Sequence, residues 1–345
     1  MRRIRLLVVI GIAVAVLASA ALVAPLADAA TTAHWRPFAH LPGTIDLTPP
    51  RLDGRVVVAT RGRLGLLRPG RAMVPFSRRP GGYATAPPGP EGNEAYIALT
   101  AARRVPGAGC GFLRDEVVAI EPMGRVGVVR VSPSGRARRL VDLPAGELPS
   151  GIVFDSAGAF GHRILVTANT ADRTKANLYA VDCRGRVSTV AAGIPRVEGG
   201  ILIAPPSFGR FARQLIAPDE ISGQIFAISP RGGVGLVARS GLAAGADLGI
   251  EALGFVPGAF GDRWMALLAD RYFAASSRPG TNTVLGVSGR ELRLAGVRAG
   301  DLLGAAEGGG QPTIAVRCRL RCSVRKVATT PAISHPEGHI VMARR

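Results

Sequence analysis

The chain has 345 residues and a formal net charge of +19 at pH 7, from 43 Lys and Arg against 24 Asp and Glu. This length suits two average domains or one large all-β domain. Nearly all the positive charge is arginine, spread along the chain without a dense basic block or a basic–aromatic cluster. The composition therefore speaks against nucleic-acid binding and leaves a weak attraction to anionic envelope polymers.

The first thirty residues have the pattern of an export signal. Arginines at positions 2, 3 and 5 precede an uncharged apolar run over residues 6–27, and Ala27-Asp28-Ala29 gives a small-x-small cleavage motif. The run is about long enough to span a bilayer, so an uncleaved anchor is the alternative. We predict a signal peptide over residues 1–30, a secreted or cell-envelope location, and membrane attachment only if that segment is retained.

Short β-rich runs separated by Gly, Pro, Asn and Asp turns fill the rest of the chain, without a long apolar stripe of helical period. The first group is "GRVVVATRGRLGLLRPGRAMVPFS". The second is "EAYIALT", "DEVVAIEP", "GVVRVSP" and "RARRLVDL", with an inserted loop after Thr100. Many short strands between regular turns predict an all-β sandwich, barrel or propeller.

A repeat decides among these folds. The segments "SGIVFDSAGAFGHRILVTAN", "GGILIAPPSFGRFARQLIAPDE" and "EALGFVPGAFGDRWMALLADR" align, with turn glycines Gly158, Gly209 and Gly258 about 50 residues apart, and a strand pair is predicted after each. Four strands in about 50 residues make one propeller blade. We predict an all-β fold, a six-bladed β-propeller of four-stranded blades forming a single domain over residues 31–345, with seven blades as the rival.

The less regular ends of the chain complete the predicted ring. "DLLGAAEGGGQPTIAVRC" and "HIVMARR" are assigned to the last blade, and the segment before Asp46 is expected to close the ring against residues 338–345. One aromatic residue recurs in each repeat, at Phe160, Phe211 and Phe260. We expect these rings to pack between adjacent blades.

Acidic residues mark the predicted start of the innermost strands. In a propeller these strands begin at one mouth of the central channel, and the residue before each strand points toward the axis. The residues read at this position are Asp46, Glu91, Ser150, Glu198, Glu251 and Asp301. Five of these six are acidic in a chain with only 24 acids, so the pattern is unexpected by composition.

Carboxylates that converge on one axis repel each other, so either some take up protons or a cation binds. A hard divalent ion suits oxygen ligands, and Ca²⁺ is the natural choice. The second strands end near the same mouth with Asn169, Asp219 and Asp270. The alternative is that these acids only hydrogen-bond free backbone groups at strand entries, beside a water-filled channel.

The repeat length, the acidic strand entries and the phrase "QLIAPDEISGQIFAISPRG" resemble the six-bladed propellers of the SMP-30/gluconolactonase group and the NHL-repeat proteins. The resemblance implies a Ca²⁺-type site at the channel mouth and, in enzymatic members, hydrolysis of lactones or esters. In that group a Glu, an Asn and an Asp on inner strands hold the metal. Glu198, Glu251 and Asp301 occupy comparable positions, whereas no inner-strand Asn is evident.

The four cysteines allow three pairings that the sequence does not choose between. Cys318 and Cys322 with His335 and His339 have zinc-finger spacing, but two prolines break the helix that a finger needs. Oxidation is the competing interpretation, since export permits disulfides. Cys318 with Cys322 would link a short hairpin, and Cys110 with Cys183 would link two blades.

Two functions follow from these patterns. The first is an exported ligand-binding or interaction module with a Ca²⁺-binding channel mouth, acting as a monomer on a small molecule or on an envelope polymer or protein. The second is a metal-dependent lactone or ester hydrolase, with the metal as Lewis acid and Asp219 or Asp270 as base. An open metal position beside a base would distinguish the hydrolase from a fully coordinated structural ion.

Overall fold

The computed structural model describes residues 32–60, 63–77, 94–121, 125–274, 276, 277 and 279–345, all within one compact unit, Thr31–Arg345. The predicted signal peptide and Glu91 lie outside the described residues. Within these ranges no helix has the length and apolar character needed to cross a membrane.

The described part of the chain is almost entirely β-structure. The strands up to the middle of the chain are β1 (Ala33–His34), β2 (Arg36–His40), β3 (Thr44–Leu47), β4 (Val56–Thr60), β5 (Arg63–Leu67), β6 (Val74–Pro75), β7 (Ile97–Leu99), β8 (Arg103–Val105), β9 (Cys110–Phe112), β10 (Val117–Glu121), β11 (Gly127–Val131), β12 (Ala137–Asp142), β13 (Leu148–Phe154), β14 (Ile164–Asn169), β15 (Lys175–Val181) and β16 (Val187–Pro195). The remaining strands are β17 (Leu202–Ile203), β18 (Leu215–Asp219), β19 (Gln224–Ile228), β20 (Val234–Arg239), β21 (Ile250–Phe255), β22 (Trp264–Asp270), β23 (Thr283–Ser288), β24 (Leu302–Ala306), β25 (Pro312–Cys318), β26 (Cys322–Thr329) and β27 (Pro336–Arg344). A 3₁₀ turn, Gly209–Phe211, and one helix, α1 (Gly289–Leu294), interrupt the strands.

Four sheets in the described residues are antiparallel meanders of four strands, ordered β3–β4–β5–β6, β7–β10–β11–β12, β13–β14–β15–β16 and β17–β18–β19–β20. The inserted loop after Thr100 contains a separate hairpin, β8–β9. Tight turns between outer strands place Gly135, Gly185 and Gly232 at φ near +80°, a conformation that costs glycine little. Each meander is one propeller blade.

The remaining strands form a nine-stranded sheet with two arms. One arm has the order β21–β24–β25–β26–β1 and the other β27–β22–β23–β2. The arms meet where β21 and β27 run parallel and pair Leu253 with His339. The two arms contain the third sequence repeat and both ends of the described chain.

This sheet corrects three expectations. β21 and β22 do not form one hairpin, because β27 pairs antiparallel with β22 and β21 takes β24 as its partner. The N-terminal strands do not pair with residues 338–345: β2 pairs with β23 and β1 with β26. The strand expected after β23 is helix α1, which starts with a capping box formed by Ser288 and Glu291.

Six buried apolar clusters connect successive blades and arms. Val57 packs with Ile97, Ile120 with Ile152, Leu178 with Leu215, Ile216 with Leu253, Leu303 with Leu268, and Leu267 with Leu47. The sheets are therefore arranged around a closed ring, which confirms the predicted propeller. Since the described chain separates only four four-stranded sheets from the two-armed sheet, the number of six blades stays a prediction.

The recurring aromatic residues behave as expected. Phe160 is buried between the sheets of β13–β16 and β17–β20, and Phe211 is buried in the next interface. Phe260 packs half-buried against the cluster between the two arms.

Candidate functional site

The inner strands β3, β7, β13, β17, β21 and β27 begin at the same end of the ring, which we call the acidic end. The first five are the first strands of their meanders or arm, and β27 runs parallel to β21. Glutamates come from strand entries and from the ends of second strands. They are Glu94, Glu198, Glu220, Glu251, Glu307 and Glu337, and we call them the acidic cluster.

Glu251 lies at the centre of this cluster. One oxygen of Glu251 lies within 4.8 Å of carboxylate oxygens of Glu220 and Glu307, and a second set of the same spacing joins Glu251 to Glu94 and Glu337. A third set consists of Glu307, His335 and Glu337. Apart from Glu94, the members of these sets are buried. Burial at this spacing makes the repulsion between the carboxylates strong.

Two arginines and a tyrosine offset part of that repulsion. Arg271 Nη1 donates to Glu94 Oε1 at 2.9 Å and to Glu337 Oε1 at 3.0 Å. Arg196 Nη2 donates to Glu220 Oε1 at 2.9 Å and also to Glu198. The hydroxyl of Tyr96 contacts Glu251 and lies 3.0 Å from Glu337 Oε2.

Positive charge in the cluster falls short of the negative charge. Six carboxyl groups face two guanidinium groups and the imidazole of His335, whose Nε2 lies 2.7 Å from Glu307 Oε1. Even with His335 protonated, fully ionised glutamates would leave an uncompensated negative charge in a largely buried volume. Such a volume takes up protons or binds a cation.

The pKa values of four glutamates are raised, as expected for buried carboxyl groups with an excess of negative charge. Burial, followed by the charge of Glu337, raises the pKa of Glu94 to about 7. Burial and neighbouring carboxylates also raise the pKa values of Glu198 and Glu251 well above the usual range. Burial does the same to the pKa of Glu307, against the opposing effect of His335. Burial and the neighbouring carboxylates thus favour the protonated forms of these groups when no cation is bound.

The pKa values of Glu337 and His335 shift against the effect of burial. Burial would raise the pKa of Glu337, but Arg271 and His335 outweigh it and lower the pKa to about 2. Burial would lower the pKa of His335, but Glu307 and Glu337 outweigh it and raise the pKa to about 10. Glu337 is therefore the internal counter-ion of Arg271 and His335.

The three sets differ in how well they suit a metal ion. Glu337 already accepts hydrogen bonds on both oxygens, from Arg271 and Tyr96, so the two sets that contain it are engaged within the protein. In the set Glu220, Glu251 and Glu307, Glu220 accepts from Arg196 and from Asp247 N, and Glu251 contacts Tyr96. This set differs from the others in that Glu307 Oε2 is buried without a hydrogen-bond partner among the described residues and no member is paired on both oxygens with side-chain donors. All its donors are carboxylate oxygens, which suit a hard cation. We call Glu220, Glu251 and Glu307 the carboxylate triad.

The structure places the predicted metal ligands in different environments. Glu251 is in the triad, and Glu198 lies beside it through Arg196. Asp301 accepts two hydrogen bonds from Arg317, at 2.6 and 2.7 Å, and one from the backbone of Arg298. Asn169 Oδ1 accepts only a long bond from the backbone of Val197, and Glu91 lies outside the described residues. The metal-ligand roles of these residues stay predictions.

Asp46 and His339 close the channel below the cluster. Asp46 Oδ2 accepts from Ile97 N at 2.8 Å, and Oδ1 accepts from His339 N at 2.9 Å. The ring of His339 lies between Asp46 and the carbonyl of Ile201, at 2.9 and 3.1 Å. A Cβ on Gly338 would lie 2.2 Å from Asp46 Oδ1, so the backbones fit closely here. Asp46 thus links three inner strands and the segment before β17.

The two predicted bases already have hydrogen-bond donors. Asp219 accepts from the backbone of Ile221 and from the hydroxyl of Ser222. Asp270 Oδ1 accepts from His335 N at 2.7 Å, and its other oxygen accepts from Thr281 and Thr283. These bonds organise the ends of β18 and β22. Asp219 and Asp270 stay predicted as bases, while Glu94 and Glu198 are the more accessible carboxylates, with side chains 24% and 19% exposed.

The sequence did not predict Glu94, Glu307 and Glu337, or the basic residues of the cluster, Arg196, Arg271 and His335. The insertion of β27 beside β21 makes Glu337 the strand-entry acid of the last arm, and the pairing of β24 with β21 places Glu307 beside Gly249, to which its backbone N–H donates. Both residues follow the predicted rule of an acid at the channel end of a strand. The sequence assigned these positions to Asp301 and Asp270 because it treated β21 and β22 as one hairpin.

The cysteines form the two disulfides that were considered, Cys110–Cys183 and Cys318–Cys322. The zinc alternative is thereby excluded, because both sulfurs that it requires are bonded to each other. Disulfides are compatible with an oxidising, extracytoplasmic compartment.

Comparisons with known proteins give structural likenesses only. No protein-family model matches the chain, and no curated protein matches its sequence. Among solved structures, a catalytically inactive virginiamycin B lyase from Staphylococcus aureus, crystallised with quinupristin, matches 88% of this chain and 91% of its own, with TM-score 0.48 and 10% identity. The calcium-binding protein regucalcin from Agrobacterium tumefaciens matches 87% of this chain and 79% of its own, with TM-score 0.47 and 12% identity.

Proposed function

We propose that the acidic end binds a divalent cation through the carboxylate triad, with Ca²⁺ as the expected ion, and that this site hydrolyses a lactone or ester. The observation that carries the proposal is the triad itself: three carboxylates with a shared focus and one buried oxygen left without a donor. The resemblance to the SMP-30/gluconolactonase group supplies the substrate class. Export by way of the predicted signal peptide is part of the proposal.

The spacing of the triad suits a calcium ion. Ca²⁺–oxygen distances of about 2.3–2.6 Å allow two oxygens on one ion to be at most about 5 Å apart. The triad oxygens lie within 4.8 Å of each other. If each carboxylate binds through one oxygen, about three to five of the six to eight positions on the ion are left for water or substrate. Open positions of this kind favour a catalytic or ligand-binding ion over a purely structural one.

The protein's own residues at the accessible side fit hydrolysis. Glu94 and Glu198 are the partly exposed members of the cluster, so either can accept a proton from an attacking water. Arg196, which is largely buried, donates to Glu198 and Glu220 and lies 3.8 Å from Asp219, so it holds these carboxylates in position. A bound divalent ion would supply Lewis-acid polarisation of the substrate carbonyl.

Calorimetric titration of the purified chain with CaCl₂, after removal of divalent ions, tests the cation site. We expect one saturable site, and a loss of affinity of at least about tenfold in Glu251→Gln and in Glu307→Gln, because each variant removes a charged ligand. Glu147→Gln is the matched control, since Glu147 bonds Asn177 and Tyr179 outside the cluster. No saturable binding in the wild type, or equal binding in all variants, would contradict the cation site.

A screen of lactones and carboxylic esters, with and without Ca²⁺, tests the activity. We expect turnover that requires the ion and falls in Glu94→Gln or Glu198→Gln while Ca²⁺ affinity is kept. Ca²⁺ binding without any turnover would overturn the hydrolase and leave the exported ligand-binding module as the function, to be followed by a search for an envelope polymer or protein that binds in a Ca²⁺-dependent way.

A further inference from the structure

A cavity of about 720 Å³ opens at the other end of the channel, where the inner strands finish. We call it the apolar cavity, because its walls include Ile97, Val153, Ile203, Phe255, Ile340 and Met342. Its volume falls within the range of about 300–1,000 Å³ that is typical of small-molecule sites. Mostly apolar walls with a few polar groups are also typical of such sites.

The apolar cavity is separate from the acidic cluster. His339 lines the cavity, and the hydrogen bonds among Asp46, His339 and Ile201 lie between the two. Because this layer is held by backbone groups of several inner strands, a ligand in the cavity does not reach the carboxylate triad. The cavity therefore needs an explanation of its own.

Positive charge lies at the rim of the cavity. Arg51 and Arg114 both line it, together with Asp115. Arg51 Nε is buried without a hydrogen-bond partner in the described chain, and it lies 3.6 Å from Asp115 Oδ2, beyond hydrogen-bond distance. The guanidinium of Arg51 is packed over the ring of Phe76, which fixes its position. Arg114 is exposed and makes no ion pair with any described residue. The rim thus carries donors that are not satisfied within the protein.

Apolar surface continues outward from the cavity. Leu52, which also lines it, is 78% exposed, and Leu113, beside Arg114, is 55% exposed. Exposed leucines on a rim of this kind extend the surface on which an apolar ligand is buried.

We propose that the apolar cavity binds a small amphipathic anion, with its apolar part against the inner-strand walls and its anionic group at Arg51 and Arg114. An anionic group at the rim would gain charge-assisted hydrogen bonds from Arg114, which has no ion pair among the described residues, and from the exposed part of the Arg51 side chain. A neutral ligand of the same shape would not gain them. The proposal does not depend on the cation site or on hydrolysis.

The probe is 8-anilinonaphthalene-1-sulfonate, an apolar anion whose fluorescence rises on burial. We expect one saturable site on the folded chain, unchanged by EDTA and by Glu251→Gln, with displacement by decanoate. Decanol has the same tail without the charge, and we expect it to displace the probe at least about tenfold less well, since it gives up a hydrogen bond to a charged group.

Three variants test whether the probe binds in the apolar cavity. Ala101→Trp puts an indole into the cavity and should abolish probe binding, because Ala101 lines it. Arg114→Ser should weaken binding several-fold without affecting the fold, because Arg114 is an exposed residue. Arg231→Ser, an exposed arginine of an outer hairpin, is the charge-matched control and should bind as the wild type does. Three outcomes would overturn the proposal: no saturable site, equal displacement by decanoate and decanol, or wild-type probe binding in both Ala101→Trp and Arg114→Ser.

Discussion

The two ends of the central channel are built on the same inner strands and are held together by different forces. The acidic end combines six glutamates with Arg196, Arg271 and His335. The other end is apolar. Both disulfides lie on its side of the blades, since Cys183 follows β15 and Cys318 ends β25, and both strands finish at that edge. A close-packed layer at Asp46 and His339 lies between them.

The two ends therefore differ in the interactions that stabilise them and in how these interactions respond to pH and to cations. At the acidic end, an excess of carboxylates leaves stability dependent on protons or on a cation. At the apolar end, covalent links and hydrophobic packing hold the strands. Carboxylates there such as Asp53 and Asp182 have lowered pKa values, so their contribution to stability is constant above about pH 5 and is lost in acid. Substitutions at each end, followed by measurements of stability, test this difference.

The largest effect is expected at the acidic end. Arg271→Met removes the donor shared by Glu94 and Glu337 and leaves the buried Glu337 with His335 as its remaining basic partner among the described residues, which should cost about 3–5 kcal/mol of unfolding free energy. Urea unfolding measures the loss. Arg293→Met is the control, because Arg293 pairs with Asp262 on the surface and should cost at most about 1 kcal/mol. Similar losses in both variants would remove the distinction.

The next effect concerns the disulfides at the apolar side. Chain-entropy arguments give about 4 kcal/mol for Cys110–Cys183, which closes a separation of 73 residues, and about 2 kcal/mol for Cys318–Cys322, which closes one of 4. Paired Cys→Ala variants, unfolded in urea without reductant, should therefore lose stability in that order. A larger loss from the Cys318/Cys322 pair would show that native-state packing rather than loop length dominates.

Between about pH 5 and pH 9 the pH dependence of stability should come from the acidic end. The raised pKa values of Glu94, to about 7, and of His335, to about 10, contribute stability that is present below their ordinary values of 4.5 and 6.5 and is lost as pH rises through the folded values. Without divalent ions, the melting temperature should fall between pH 5 and pH 9. A Ca²⁺ concentration about 100 times the Kd at pH 8 should restore about 2.7 kcal/mol at that pH. The same concentration should restore less at pH 5, where the Kd is larger because the ligands must lose protons. A Ca²⁺ effect that is equal at both pH values would contradict this coupling.

The smallest effect concerns the layer between the two ends. Gly338 has a φ of +65°, and an added Cβ would lie 2.2 Å from Asp46 Oδ1. Gly338→Ala should lose about 1–2 kcal/mol from the left-handed backbone alone, with a further loss from the contact. Gly258→Ala meets nothing within 4 Å and should leave the thermal midpoint unchanged. If both variants melt like the wild type, the layer is looser than the hydrogen bonds of Asp46 indicate.

Local sequence determined much of this protein. The short β-rich runs and left-handed turn glycines predicted the four regular blades, and the regular occurrence of acids at strand entries identified Glu251 and the end of the channel that carries charge. These features could be predicted because strand alternation, turn chemistry and a repeat of about 50 residues are properties of neighbouring residues.

The tertiary structure decided the pairing in the two-armed sheet, where β27 inserts beside β21 and replaces Asp301 and Asp270 with Glu337 and Glu307 in the cluster. It also decided the positions of Arg196, Arg271 and His335, and the existence of the apolar cavity. Sequence could not supply these, because strand pairing between distant segments is chosen by the total packing of the ring, and the meeting of charges on its axis follows only from that choice.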